Sequence, residues 1–180
     1  MLSSYNPPAI GDSTMPCIST LSINSLGQAR MSQSGATPAS AAWPVANTAY
    51  YFPFTVADTV TFTRGHLYNG ATATGNVDIG IYSESGTRLA STGATAQAGT
   101  SAVQTIAFTA SVTLTPGRYY MGLSLSSATG TIFGGGASLL HKIGGAYTQA
   151  TAHPLPSTAT FATWTSTSLI PMFAVSTLGA

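Results

Sequence analysis

The chain is 180 residues long and carries only five basic and four acidic residues, a charged fraction of 5% where globular proteins average about 25%. Its basic residues, Arg30, Arg64, Arg88, Arg118 and Lys142, are scattered, so no stripe exists that could neutralise several phosphates and nucleic-acid binding is not expected. A hydrophobic fraction of 44% argues against disorder, and a chain of this size can bury about 70% of its unfolded surface, so one packed domain is expected.

Residues 1–42 read as an extended N-terminal arm. Pro7, Pro8, Pro16 and Pro38 reject a continuous helix, and large apolar residues are sparse. Those that occur, with the rigid prolines, are the expected contacts with a neighbour: Tyr5, Pro7, Pro8, Ile10, Ile18, Leu21 and Ile23. The first residues have neither a basic nor a continuous apolar segment, so no signal peptide is expected. Nowhere does the chain approach the ~18 apolar residues of a membrane span. Cys17 is the single cysteine, which rules out an intrachain disulfide and a cysteine zinc cluster.

From Trp43 onward the period is that of strands. In AYYFPFTV, Tyr50, Phe52, Phe54 and Val56 alternate with their neighbours, and Pro53 places the strand at an edge or a bulge. TVTFTRGHLYN puts Val60 and Phe62 inward and then slips phase so that Leu67 is the apolar position, which predicts a bulge near Arg64 and Gly65. NVDIGIYS turns Val77, Ile79 and Ile81 inward and Asp78, Gly80 and Tyr82 outward. A Gly-ended hairpin at residues 83–86 then returns through TRLAS with Leu89 inward. The stretch STGATAQAGTS reads as too polar for the core.

VQTIAFTASVTL offers Ile106, Phe108, Val112 and Leu114. A Pro116-Gly117 turn leads into GRYYMGLSL, with Tyr119, Met121, Leu123 and Leu125 on one face. Shorter strands are expected at Ile132 and Phe133, at residues 138–143 and at residues 161–164. SLIPMFAVS closes the chain, with Pro171 forbidding a regular central ladder. No amphipathic helix of useful length appears. Many short strands with Gly and Pro turns give an all-β fold, an antiparallel β-sandwich of jelly-roll-like form, over residues 43–180.

Chemistry is scarce. The acids Asp12, Asp58, Asp78 and Glu84 form no pair of the kind that glycoside hydrolysis needs. The three histidines, His66, His141 and His153, accompany no G-x-S-x-G elbow and no H-E-x-x-H or H-x-H spacing. Gly134, Gly135 and Gly136 lack the Lys-Ser/Thr ending of a phosphate loop and read as a flexible turn. No catalytic residue, metal or cofactor is expected, and the protein is not expected to be an enzyme. The aromatics carry the functional reading: Trp43, Tyr68, Tyr82, Tyr120, Tyr147 and Trp164 are candidates for outward or loop positions, where rings stack on sugars or anchor protein interfaces. Trp43, Tyr68, Tyr82 and Trp164 are the ligand or partner candidates.

VDIGIYSESGTRLAS and LTPGRYYMGLSL resemble the hairpins of jelly-roll-type domains in bacteriophage virion proteins and in some carbohydrate-binding modules. The resemblance implies a capsid decoration (cement) or fibre protein, a small Ser/Thr/Ala/Gly-rich β domain with an arm. Its partners would be the major capsid protein or other virion proteins. A homotrimer, made in the host cytoplasm and located in the virion, is expected. The alternative it leaves is a carbohydrate- or receptor-binding module, in a phage fibre or secreted.

Overall fold

Side chains that are apolar at every second position can be buried only if the strand pairs with neighbours and its sheet packs on another. The computed structural model, which describes residues 17–18, 38–135, 145–164 and 169–177, has this construction. In chain order its strands are β1 (Cys17–Ile18), β2 (Ala39–Ala42), β3 (Thr48–Val56), β4 (Val60–Tyr68), β5 (Asn76–Ser83), β6 (Arg88–Ser91) and β7 (Thr95–Ala96). They continue with β8 (Val103–Leu114), β9 (Gly117–Leu125), β10 (Thr131–Gly135), β11 (Tyr147–Gln149), β12 (Ala162–Thr163), β13 (Ile170–Pro171) and β14 (Phe173–Ser176). All pairings are antiparallel, and no helix occurs among the described residues.

One sheet runs β1-β14-β4-β8 and a second, larger one β12-β11-β3-β9-β5-β6, with β7 also on β5; a three-stranded sheet, β13-β10-β2, completes the set. The protein is an antiparallel β-sandwich. Its core lies between the two main sheets. From the larger one come Tyr50, Phe52, Phe54, Val77, Ile79, Ile81, Met121, Leu123 and Leu125, and against them pack Phe62, Leu67, Ile106, Phe108, Leu114, Phe173 and Val175. Register decides this face: Phe52 lies opposite Met121, which lies opposite Ile81, so three apolar side chains meet in one row. Trp43 and Trp164 close the core around Tyr50, whose ring stacks on Trp164 at 4.3 Å and meets Trp43 at 4.7 Å.

Where the alternation was clean, the residues expected inward are in the core, but Asp78, Gly80 and Tyr82, expected outward, are buried as well; elsewhere a specific irregularity explains the difference. The slip in β4 is a register shift between Phe62 and Arg64. Pro53 sits past the last residue that β11 pairs with, Tyr51, so its strand is an edge on that flank. Leu89, expected inward, is 39% exposed because the register passes from Ile81 opposite Ala90 to Tyr82 opposite Arg88 and leaves Leu89 in the bulge. Gly134 and Gly135 do not form a turn: they pair with Pro171 and Ile170 in the three-stranded sheet. Residues 39–42, counted in the arm, form β2 and pair with β10. Pro171 ends β13, and after Met172 the chain resumes as β14 in a different sheet.

The stretch expected to be too polar for the core instead contains buried Ser91, Thr92 and Gln97. Gln97 is held in an amide network: its Nε2 donates to Asn69 Oδ1 and to the Thr131 carbonyl, and its Oε1 accepts from the Thr74 N–H. Asn69, fully buried, donates in turn to the Ala98 carbonyl and to Gln104 Oε1. Every one of these buried amides is satisfied, so the network fixes three loops at one end of the sandwich.

Candidate functional site

The larger sheet has a second buried face, which the sequence pattern presented as outward. Residues 150–161 lie over it, and under them Tyr51, Tyr82, Asp78 and Ser124 are all fully buried. The backbone makes the room. Gly122 and Gly80 occupy one row with Tyr51; a Cβ on Gly122 would lie 3.1 Å from the Tyr51 ring, and one on Gly80 would lie 2.9 Å from a Leu155 methyl. The two glycines thus leave a trough, which the Tyr51 and Tyr82 rings (5.1 Å apart, edge to face) and Leu155 fill.

Asp78 ties the covering segment down. Its carboxylate accepts from the Leu155 N–H at 3.0 Å and from the Thr92 hydroxyl at 3.2 Å. Beside it the Tyr82 hydroxyl donates to the Pro156 carbonyl at 2.7 Å, and Arg88 donates to the Leu155 carbonyl. Burial raises the Asp78 carboxyl above its ordinary range, and these hydrogen bonds and the Arg88 charge only partly offset it. Burial likewise pushes the Tyr51 phenol up to about 12 and raises that of Tyr82.

One row on, Ser124 lies opposite Asp78 and its hydroxyl is 3.0 Å from His153 Nδ1. Serine, histidine and aspartate therefore meet here, a proximity that no spacing along the chain announces. Their geometry is not that of an activated nucleophile. Ser124 is 0% exposed, and Asp78 spends its oxygens on Leu155 and Thr92 rather than orienting the imidazole. His153 Nε2 is buried with no hydrogen-bond partner among the described residues, and burial lowers the pKa of this imidazole. The three residues act as fasteners between sheet and covering segment.

Of the aromatic candidates, Trp43, Tyr82 and Trp164 are buried and cannot stack on a ligand; the expectation that they face outward is corrected by the core between the sheets and by the covering segment. Tyr68 is partly exposed, and its ring is stacked on Phe133 at 4.4 Å. Tyr120 and Tyr147 belong to a third aromatic group with Phe161. The Phe161 ring lies 4.6 Å from Tyr120, 5.1 Å from Tyr147 and 5.2 Å from Tyr51. Tyr147 and Phe161 are partly exposed. The exposed Arg118 places its guanidinium 5.7 Å from the Tyr120 ring, and a Cβ on Gly145 would come within 3.0 Å of Arg118 Nη2. Glu84, exposed in the hairpin turn of residues 83–86, is close enough to raise the Tyr120 phenol slightly, burial being the main cause of that shift. The sequence offered Tyr120 and Tyr147 but not Phe161, which looked like the start of a strand.

His66 hydrogen-bonds Thr105 and Ser176 from the outer face of the other sheet, at 3.0 and 2.7 Å. No group of three His, Cys, Asp or Glu suited to a metal occurs among the described residues. Of the arm candidates, Ile18 lies in β1, opposite Ala174 of β14. Tyr5, Pro7, Pro8, Ile10, Leu21 and Ile23 fall outside the described residues, as do His141, Lys142, Gly136 and the strand expected at 138–143.

Residues 46–164, more than half of the chain, match the family model described as a domain of unknown function (DUF4082), so the chain belongs to that family. No curated protein and no solved structure matches it.

Proposed function

We propose that this DUF4082 member is a non-enzymatic architectural protein of the virion decoration (cement) kind that its hairpins resemble. Its sandwich would lie on the particle surface, and its arm would reach neighbouring subunits of a homotrimer and the capsid protein beneath. The observation that carries this reading is β1. A two-residue piece of the arm, separated from β2 by 20 residues of chain, is added antiparallel to the outer edge of β14, with Cys17 opposite Val175 and Ile18 opposite Ala174. Strand addition of this type recognises the backbone and needs no charged side chains. That suits a chain with four acidic and five basic residues, whose surface of short hydroxyls and methyls can approach a neighbour closely. The buried Ser124 and Asp78 and the half-buried His153 support the non-enzymatic part of the reading, because each is committed to holding the covering segment in place.

Deleting residues 1–37, which leaves β2 intact, tests the mechanism. The expected result is a sandwich that melts as cooperatively as the full chain but no longer binds the particle. Full occupancy by the truncated protein would overturn the arm mechanism. Carbohydrate binding, the second reading, loses Trp43, Tyr82 and Trp164 as stacking rings. What remains for it is the group around Phe161.

A further inference from the structure

Independently of the architectural reading, we propose that the patch formed by Tyr120, Tyr147, Phe161, Arg118 and Glu84 is a binding site for a neutral saccharide. A pyranose offers a face of C–H groups and a rim of vicinal hydroxyls. A site for it needs a ring face beside fixed donors and acceptors, with no net charge to desolvate. The patch has these parts. Tyr147 and Phe161 are a near-parallel pair, 22° between planes, and both are partly exposed although they pack on the buried Tyr51 and Tyr120. That support from beneath keeps the rings in place, so little side-chain entropy is lost when a ligand lands on them.

The rim is polar and balanced. Arg118 has no carboxylate within ion-pair distance among the described residues, and its guanidinium lies near the Tyr120 ring and Gly145. No described residue accepts from its N–H groups, which leaves them for hydroxyl oxygens. Glu84 stands at the tip of the adjoining hairpin, where Gly86 adopts φ +89° and lies against Phe161, a Cβ there being 3.6 Å from Phe161 Cε2. It supplies an acceptor on the side of the Tyr120 phenol, which its charge reaches. One cation and one anion cancel, which favours an uncharged sugar over a uronic or sialic acid. Tyr68 and Phe133, a stacked pair from β4 and β10, serve as an internal control.

The test is a chemical-shift titration of the full chain with neutral oligosaccharides: β-1,4-glucan, α-1,4-glucan, mannan and chitin fragments. At least one should saturate shifts of the amides of Arg118, Tyr120, Tyr147 and Phe161. Phe161→Ala should weaken that binding about tenfold, the size of one good ring contact. Arg118→Ala, an exposed change that leaves the fold intact, should weaken it as well, while Tyr68→Ala should leave it unchanged. The proposal is overturned if no saccharide shifts these residues or if binding survives both patch variants. It is also overturned if a neighbouring protein covers the patch in the assembled particle. Neither patch variant alters a residue of the arm, so particle occupancy should stay at the wild-type level whether or not a sugar binds.

Discussion

Asp78 gives the sharpest test of the covered face. Its carboxylate faces the Leu155 N–H, the Thr92 hydroxyl and the Gly93 backbone, with the Arg88 charge nearby. Asp78→Ala removes both oxygens and leaves the buried Leu155 N–H unsatisfied, which costs about 2 kcal/mol and lowers Tm by roughly 4–8 °C in a domain of this size. Asp78→Asn behaves differently. Its carbonyl can accept from Leu155 while its amide donates to Thr92 Oγ1, whose own hydrogen turns to the Gly93 carbonyl 3.2 Å away. The asparagine carries no charge to desolvate, so at pH 7 this variant should lie within about 1 kcal/mol of wild type or above it. The pH dependence separates them further. The Asp78 carboxyl is raised in the folded state, so the stability it lends is complete below its ordinary value of 3.8 and is lost as pH rises through the folded pKa. His66 and His153 act in the other direction. Burial lowers both from 6.5, so their contribution is complete above 6.5 and falls as the pH drops below it. The readout is therefore the difference between wild type and Asp78→Asn, from urea unfolding followed by the fluorescence of buried Trp43 and Trp164 between pH 3 and 8. Wild type should lose ground to the variant as pH rises. An Asn variant as damaged as the Ala variant, or parallel pH curves, would refute the assignment.

Tyr82→Phe deletes the 2.7 Å bond to the Pro156 carbonyl and should cost about 1 kcal/mol, with faster hydrogen exchange confined to residues 150–161; unchanged exchange there would show that the segment is held by other contacts. Gly80→Ala forces a Cβ to within 2.9 Å of the Ala90 carbonyl oxygen, a backbone atom, and should destabilise the chain by about 1–3 kcal/mol in urea unfolding. A neutral result would mean that β5 and β6 are farther apart than described. Val175→Cys places a second thiol opposite Cys17; mild oxidation of the dilute chain should give an intrachain disulfide that shifts mobility on a non-reducing gel. If none forms, the register of β1 on β14 is wrong.

The core was legible because it follows local alternation: Tyr50, Phe52 and Phe54, then Val77, Ile79 and Ile81, then Met121, Leu123 and Leu125 each mark one face by period alone. Alternation cannot tell what covers the opposite face. Tyr51, Asp78, Gly80 and Tyr82 read as solvent-facing because the segment that buries them arrives some 70 to 100 residues later. The same limit hid Phe161, whose three aromatic contacts come from β3, β9 and β11. It also hid the proximity of Ser124 and His153. Gln97 was missed for a different reason: a glutamine in a Gly- and Ala-rich stretch is as polar as a loop residue, and only its partners Asn69 and Thr131 make its burial tolerable. Leu89 shows how one bulged residue reverses a face, something a period of two cannot anticipate.

The central claim is architectural, and electron cryomicroscopy of the assembly purified from its native source tests it most directly. The account predicts the sandwich on a particle surface as a symmetric trimer, with the arm traced from β1 on β14 to a neighbouring subunit. A protein recovered only as a free monomer, with no particle carrying it, would contradict the account.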